Sequence, residues 1–473
     1  MAQNKRINFV MFLPDGRRSL KDALPGAFTA IKTHLAHFSY WIYPAIFLVI
    51  LGAGAYARFW AAPLSAGVDV PQFWAFAKVF DAHGLDFYRY ADASLDIFPV
   101  KGWGFVYPPF WLLISWLALA ATPASLATDI MVDSGWRLAM KTPVIIADLA
   151  IGCLLYWAVP GAKWKKLLFA GLWLIHPTAW YNSAVFGQFD AIAAVLLLAA
   201  VIMLEKGNDK AAFIIAGVAV MTKQHVLLPV ALMMAASVRR LGWRRILIDC
   251  GLLAGVVLVF SAPFLATGNF LEYGRAVILP GQAPDYQTPL MYAFNGISAL
   301  LTYFNQEWGW ETIGYLNINT PLLVAAFLAA LVLCYRTALT ATQAALIGFL
   351  IFIAFFYRVN YQYLVIYIPL ALLAAAQTRY KLERSFAIII AVLPAAWPWM
   401  FNVAFWFYYL KPANYPAAEI MERIGLAYQD LPDIGYVSLA ITLTCFFIAH
   451  IILTFVKWRR PLKNTALLLE EPP

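Results

Sequence analysis

Long apolar runs recur along the whole chain, most of them separated by short polar breaks. They lie at about 41–61, 138–158, 166–184, 189–204, 211–222, 225–237, 246–266, 320–336, 343–357, 361–377, 386–405 and 435–456. Two more, at about 109–121 and 289–304, can be placed only once charge is considered. The hydrocarbon core of a bilayer is ~30 Å thick, so a crossing helix needs ~20 apolar residues rising ~1.5 Å each. Unpaired backbone groups are not tolerated there, so the runs are predicted as helices. The shorter runs are expected to extend by a few residues into their polar flanks.

Short basic loops belong on the cytoplasmic side of a membrane. Such loops occur at Lys163/Lys165/Lys166, Lys206/Lys210, Arg239/Arg240/Arg244/Arg245, Arg379/Lys381/Arg384 and Lys457/Arg459/Arg460/Lys463. The N-terminal segment adds Lys5, Arg6, Arg17, Arg18, Lys21 and Lys32. All share one side only if 109–121 and 289–304 do not cross, so both are predicted as interfacial or re-entrant helices at the outer face. The expected fold is an all-α polytopic membrane protein with about 12 transmembrane helices and both ends inside. Segments 1–40 and 457–473 are then cytoplasmic, and the loops 62–137, 267–319 and 406–434 face outward.

Composition sharpens this picture. Of 473 residues, 63% are hydrophobic and only 12% charged, with a mean hydropathy of +0.72. Soluble domains carry about 25% charged residues. A soluble enzyme, a disordered chain and a disulfide scaffold are all excluded. The net charge of +9 reads as an orientation signal rather than a nucleic-acid patch, since the predicted topology puts the surplus inside and leaves the outer face net acidic. Cys153, Cys250, Cys334 and Cys445 are far apart in apolar stretches and read as buried free thiols. No secretory leader is read before the first run, which is expected to stay as an anchor. No internal repeat or inverted half-symmetry stands out, and no Gly-rich phosphate loop is present.

Ionisable residues at or in a membrane are costly and are therefore functional candidates. Asp69 opens the first outer loop just past the first run, where a base acting on a membrane-held substrate must stand; helix capping is its plainer role. Asp81, His83, Asp86, Asp92 and Asp96 follow, the last two reading as a solvated face. Tyr107-Pro108-Pro109 starts an aromatic helix. Asp148 lies inside an apolar run and needs a partner, whether for structure or for a site. After His176-Pro177, the chain turns back at the outer face with Asn182, Gly187, Gln188 and Asp190. The next outer turn is Thr222-Lys223-Gln224-His225. A lone outward lysine breaks the charge asymmetry and suits an anion such as a lipid phosphate, or else snorkels. Arg275, Asp285 and Asn295 come later, and the turn Tyr357 to Tyr363 adds Arg358, Asn360 and Gln362. These turns are expected to converge on one pocket, with Lys223 and Arg358 for a phosphate and Asp69 for a proton.

At these residues the chain resembles the GT-C superfamily of polytopic glycosyltransferases, which use polyprenyl- or dolichyl-phosphate sugars. Asp69 and Tyr107-Pro108-Pro109 match an early acidic residue and a Tyr-Pro-Pro helix in that superfamily. Lys141-Thr142-Pro143 to Asp148 is similar to a Lys-Leu-Pro…Ala-Asp span of bacterial members. His176-Pro177…Asn182…Gly187-Gln188-Phe189-Asp190 resembles an Asn-Pro…Trp-Gly-Gln-Xaa-Asp signature. Lys223-Gln224 looks like the Lys-Gln turn shared with the endoplasmic-reticulum glucosyltransferases of asparagine-linked glycosylation, and Asn360-Tyr361-Gln362-Tyr363 resembles an Asn-Xaa-Gln-Tyr motif of related mannosyltransferases. Two features depart from those glucosyltransferases. Val106 stands where they have an acid, and Asn360 to Gln362 where they have a His-Glu pair.

The resemblance implies a catalytic module over 41–270 and a variable helical module over 271–456. It implies a hexosyltransferase moving a monosaccharide such as glucose or mannose from a polyprenyl-phosphate donor to a lipid-linked glycan or other acceptor, in one inverting step. Asp69 would be the general base. Lys223 and Arg358 would stabilise the leaving phosphate. Tyr107, Gln188, Asp190, Gln224, His225, Arg275, Asn295, Asn360 and Gln362 would complete the substrate site. No metal ligand cluster is read, and no cofactor is expected beyond the donor itself. The expected partners are membrane lipids, donor and acceptor, without nucleic acid, and the chain is expected to be a monomer. Its place would be a bacterial or archaeal cell membrane, or the endoplasmic reticulum of a eukaryote, with the site on the non-cytoplasmic face. The competing expectations are a lipid-linked-sugar flippase, a glycan ligase or a membrane scaffold.

Overall fold

The computed structural model describes residues 20–65, 67, 69–98, 101–122, 134–277, 296–337, 339–357, 359–400 and 433–458. Among them all regular structure is helical, with no strand. The chain divides into two compact units, Met1–Val49 and Ile50–Pro473. The described part of the first is helical from Leu20 onward, as the start of α1 (Leu20–Ala61). The other helices all belong to the second unit.

Among the described residues five helices are long and apolar enough to cross a membrane: the Trp41–Leu64 stretch, α4 (Ser134–Ala158), α10 (Trp243–Leu265), α13 (Asn319–Arg336) and α18, here Val437–Val456 of Asp433–Trp458. Large apolar side chains stay exposed along them, among them Leu48, Val49, Ile146, Leu258, Val259, Val324, Leu328 and Ile452. Water would penalise such stripes by roughly 25 cal/mol per Å², whereas lipid would not. By contrast α7 (Asp190–Glu205), α14 (Ala341–Phe355) and α15 (Leu364–Gln377) are buried almost all round. They are short, of 14 to 16 residues, and form the centre.

Helix α7 packs on α8 (Asp209–Thr222), α8 on α10, α9 (Leu227–Leu241) on α14, and α15 on α16 (Lys381–Val392). Gly348 lets α14 and α9 approach closely, since a Cβ there would stand 2.6 Å from the Pro229 Cα. The short connections force successive helices to alternate in direction. The starts of α7, α9 and α15 and the ends of α8 and α14 consequently gather at one end. The end of α7 lies about 22 Å away by helical rise, and a polar knot forms there. Glu205 accepts from Thr342 N (2.9 Å), Thr342 Oγ1 (2.7 Å) and Gln377 Nε2 (2.7 Å), and Glu383 accepts from Gln343 Nε2 (2.7 Å) and Thr378 Oγ1 (2.8 Å). The basic turns at Lys206, Arg239/Arg240 and Lys381 share this second end.

Several sequence expectations change. The run 166–184 is not one helix. It is α5 (Lys163–Leu174), a short α6 (Pro177–Trp180) and a π-helical turn at Tyr181–Phe186. Pro177 has no N–H to donate and pushes His176 into an extended conformation at ψ 118°, which breaks the helix. The run 386–405 likewise ends α16 at Val392 and continues as a 3₁₀ turn and the short α17 (Trp397–Met400). Within 62–137, Asp69 starts α2 (Asp69–His83), and α3 (Pro109–Ala120) begins at Tyr-Pro-Pro where a helix over 109–121 is expected. The 289–304 run contributes α12 (Gly296–Trp308). Cys334 is buried as expected, but Cys153 and Cys445 are exposed on helices long enough to span.

Candidate functional site

The cluster begins with the turn before α7. The π-helical turn closes on Gly187, whose N–H and that of Gln188 both donate to Asn182 O at 3.0 Å. Gly187 has φ +84°, and a Cβ there would stand 2.7 Å from Val70 Cγ2 and 2.8 Å from Lys141 Cε. Only glycine combines that left-handed conformation with that closeness. The turn hands on Gln188, Phe189 and Asp190 pointing inward, and Gln188 and Asp190 have no exposure.

Two polar pairs result. Gln188 Nε2 donates to Asp69 Oδ2. Lys223 Nζ donates to Asp190 Oδ1 at 2.7 Å, with neither side chain exposed, and the Asn182 side chain stands beside Asp190. The pairs are not independent, because the Lys223 charge acts on both Asp190 and Asp69. Asp69 is half-buried, whereas Gln188, Asp190 and Lys223 have no exposure.

Aromatic rings close over the ammonium. Lys223 Nζ lies 4.6 Å from the Phe189 centroid, 4.9 Å from Tyr363 and 5.5 Å from Tyr107. Phe189 in turn stacks on Trp111 of α3 at 4.5 Å. Tyr107 is fixed from behind, since Tyr88 OH donates to its carbonyl at 2.9 Å. Gln224 Nε2 donates to Val106 O at 2.8 Å, which ties the α8–α9 turn to the segment before α3. His225 stacks on Phe352 at 4.8 Å and meets Tyr363 at 4.8 Å. Gln188 Oε1, Gln224 Oε1 and His225 Nε2 are buried and, among the described residues, hydrogen-bond to no protein group. The amide orientations are set by chemistry: each Nε2 must face the oxygen it serves, which turns each Oε1 away.

The structure thus brings together Asp69, Tyr107, Gln188, Asp190, Lys223, Gln224 and His225. Asn360 and Gln362 flank the turn that delivers Tyr363, with Gln362 buried. Arg275 stands exposed on α11 (Phe270–Val277), and among the described residues no hydrogen bond or ion pair joins it to the cluster. Asn295, Asp285 and Arg358 lie outside the described residues. Asp148 finds its partner in Arg58, at 2.7 and 3.2 Å, with Ser183 Oγ donating at 2.5 Å. Asp96 is solvated as expected, and Lys101 at 2.6 Å holds its carboxyl below the usual carboxylate range. Among the described residues no group of three or more His, Cys, Asp or Glu stands close enough to hold a metal ion.

Phe189, Tyr363 and Arg58 were not singled out from the sequence. Phe189 had a usable signal, since it lies between two candidate polar residues. Arg58 had none, because a basic residue at the end of an apolar run reads as an interfacial anchor. No protein-family model matches the chain, and no curated protein matches it.

Proposed function

We propose that the chain is an integral-membrane glycosyltransferase that moves a monosaccharide from a polyprenyl-phosphate donor to a glycan or lipid-linked acceptor at the outer face. The observation that carries this reading is the pairing of Asp69 with Gln188 beside the buried Lys223–Asp190 pair, under Tyr107 and Tyr363. A half-buried carboxylate next to buried polar groups suits a general base that must meet an acceptor hydroxyl. Lys223 stays paired with Asp190 under the aromatic rings, and its charge would act on a phosphate brought up beside Asp69. Gln188 Oε1 and Gln224 Oε1 suit hydroxyl donors of a sugar. The leaving polyprenyl phosphate departs already charged, so one base suffices. The reading includes a topology of about 12 crossings, with the basic turns in the cytoplasm and the cluster at the opposite face.

The test is transfer by purified protein from a panel of polyprenyl-phosphate mannose, glucose, arabinose and galactose, followed by analysis of the product lipid or glycan. A glycosylated acceptor with at least one donor is the expected result. Movement of lipid-linked sugar across liposomes without transfer would replace this reading with a flippase. Acceptance only of a pyrophosphate-linked oligosaccharide would replace it with a ligase.

A further inference from the structure

Lys141 touches no group expected to meet a substrate, and it is wholly buried. Its Nζ shares three N–H donors among five oxygens within hydrogen-bond distance: Ala62 O (3.2 Å), Ser65 O (2.8 Å), Ser65 Oγ (3.0 Å), Ala184 O (3.0 Å) and Val185 O (2.9 Å). Among the described residues no carboxylate pairs with it. The four carbonyls come from two places: the turn just before Asp69, and the π-helical turn just before Gln188 and Asp190. Both are ends of helical segments, where carbonyls lack intrahelical partners and carry the negative end of the dipole. An ammonium answers both needs, so this cation is balanced by backbone rather than by an acid.

Other contacts share this geometry. Gly67 N donates to Phe186 O at 3.1 Å and joins the same two segments directly. Arg137, one turn before Lys141 on α4, donates to Pro63 O at 2.9 Å. Trp136 Nε1 reaches Val70 O at 3.4 Å. The start of α4 therefore grips the Ala62–Val70 segment at several points, and Lys141 also holds the second segment through Ala184 O and Val185 O.

We infer that Lys141 is a positioning residue that fixes the turn bearing Asp69 against the turn bearing Gln188 and Asp190, and so sets the Asp69–Gln188 hydrogen bond. Its kinetic consequence rests on the transferase reading, whereas its structural consequence does not.

Hydrogen exchange on the full-length Lys141→Met protein in detergent separates the two. Amides over 62–70 and 184–190 are expected to exchange together, at least about tenfold faster than in the parent, while those at 340–345 and 378–384 keep their protection. The kinetic arm is expected to show kcat for sugar transfer falling with donor KM little changed. Lys141→Arg keeps a cation for the same carbonyls and serves as the second variant. It is expected to protect both segments better than Met does. Three results would overturn the inference: the two segments responding separately, neither responding, or protection being lost across the whole chain in both variants. Coupled exchange without any transferase activity in the parent would leave the positioning role intact and remove only the transferase reading.

Discussion

Lys223 and Asp190 meet at 2.7 Å with neither side chain exposed, the lysine at the end of one central helix and the aspartate at the start of its neighbour. Burying two charges is repaid only while both remain. Removing one leaves an uncompensated charge and typically costs about 3–5 kcal/mol, whereas replacing both with apolar groups is far less costly. Lys223→Met and Asp190→Leu are each expected to lower the unfolding temperature in detergent sharply. The double variant is expected to recover a large part of that loss. Additive single effects in thermal unfolding would show that the pair is not coupled.

Asp69 is the half-buried acid of the cluster, whereas Asp190 has no exposure. Asp69→Asn retains the size of the side chain and an oxygen for Gln188 but cannot take a proton. Sugar transfer is expected to fall by about 10² to 10⁴, the usual worth of a positioned general base, with membrane insertion and thermal stability close to the parent. Transfer at the parent rate would remove Asp69 from the chemistry.

Gly187 sits at φ +84° with Val70 and Lys141 against it. Gly187→Ala adds left-handed strain, at about 1 kcal/mol, and a clash on top. The turn bearing Gln188 and Asp190 must shift, so activity is expected to fall more steeply than stability. Comparing initial rates with unfolding temperature checks this, and parallel losses would mark Gly187 as a folding position alone.

Sidedness is directly measurable. In a background with the four native cysteines replaced by serine, Ser94→Cys and Lys210→Cys place exposed thiols at the two ends of the helical assembly. A membrane-impermeant maleimide is expected to label Ser94→Cys in intact cells and Lys210→Cys only after permeabilisation. The reverse pattern would invert the orientation and put the cluster in the cytoplasm.

Much of the fold was legible because each helix announces itself locally. Apolar runs mark the helices. Pro109 marks the start of α3 and Asn208 that of α8, where its side chain accepts from Ala211 N. Thr340 and Gln343 form a capping box at α14. The break at His176-Pro177 was present in the sequence too, but the apolar residues around it masked it. Within the site, Gln188, Asp190 and Lys223 stood out because polar residues are expensive at turns between apolar helices.

By itself the sequence determined an all-helical chain of membrane character, which end of each helix is basic, and which turns carry polar groups. Those properties follow from residue type and spacing. The tertiary structure decided the partners: that Asp190 takes Lys223, that Gln188 takes Asp69, that Asp148 takes Arg58, and that Lys141 holds two distant carbonyl clusters. Each pairing joins residues 33 to 119 positions apart. Such pairings depend on how the helices pack side by side, and nothing in the local pattern of a single helix specifies its neighbour.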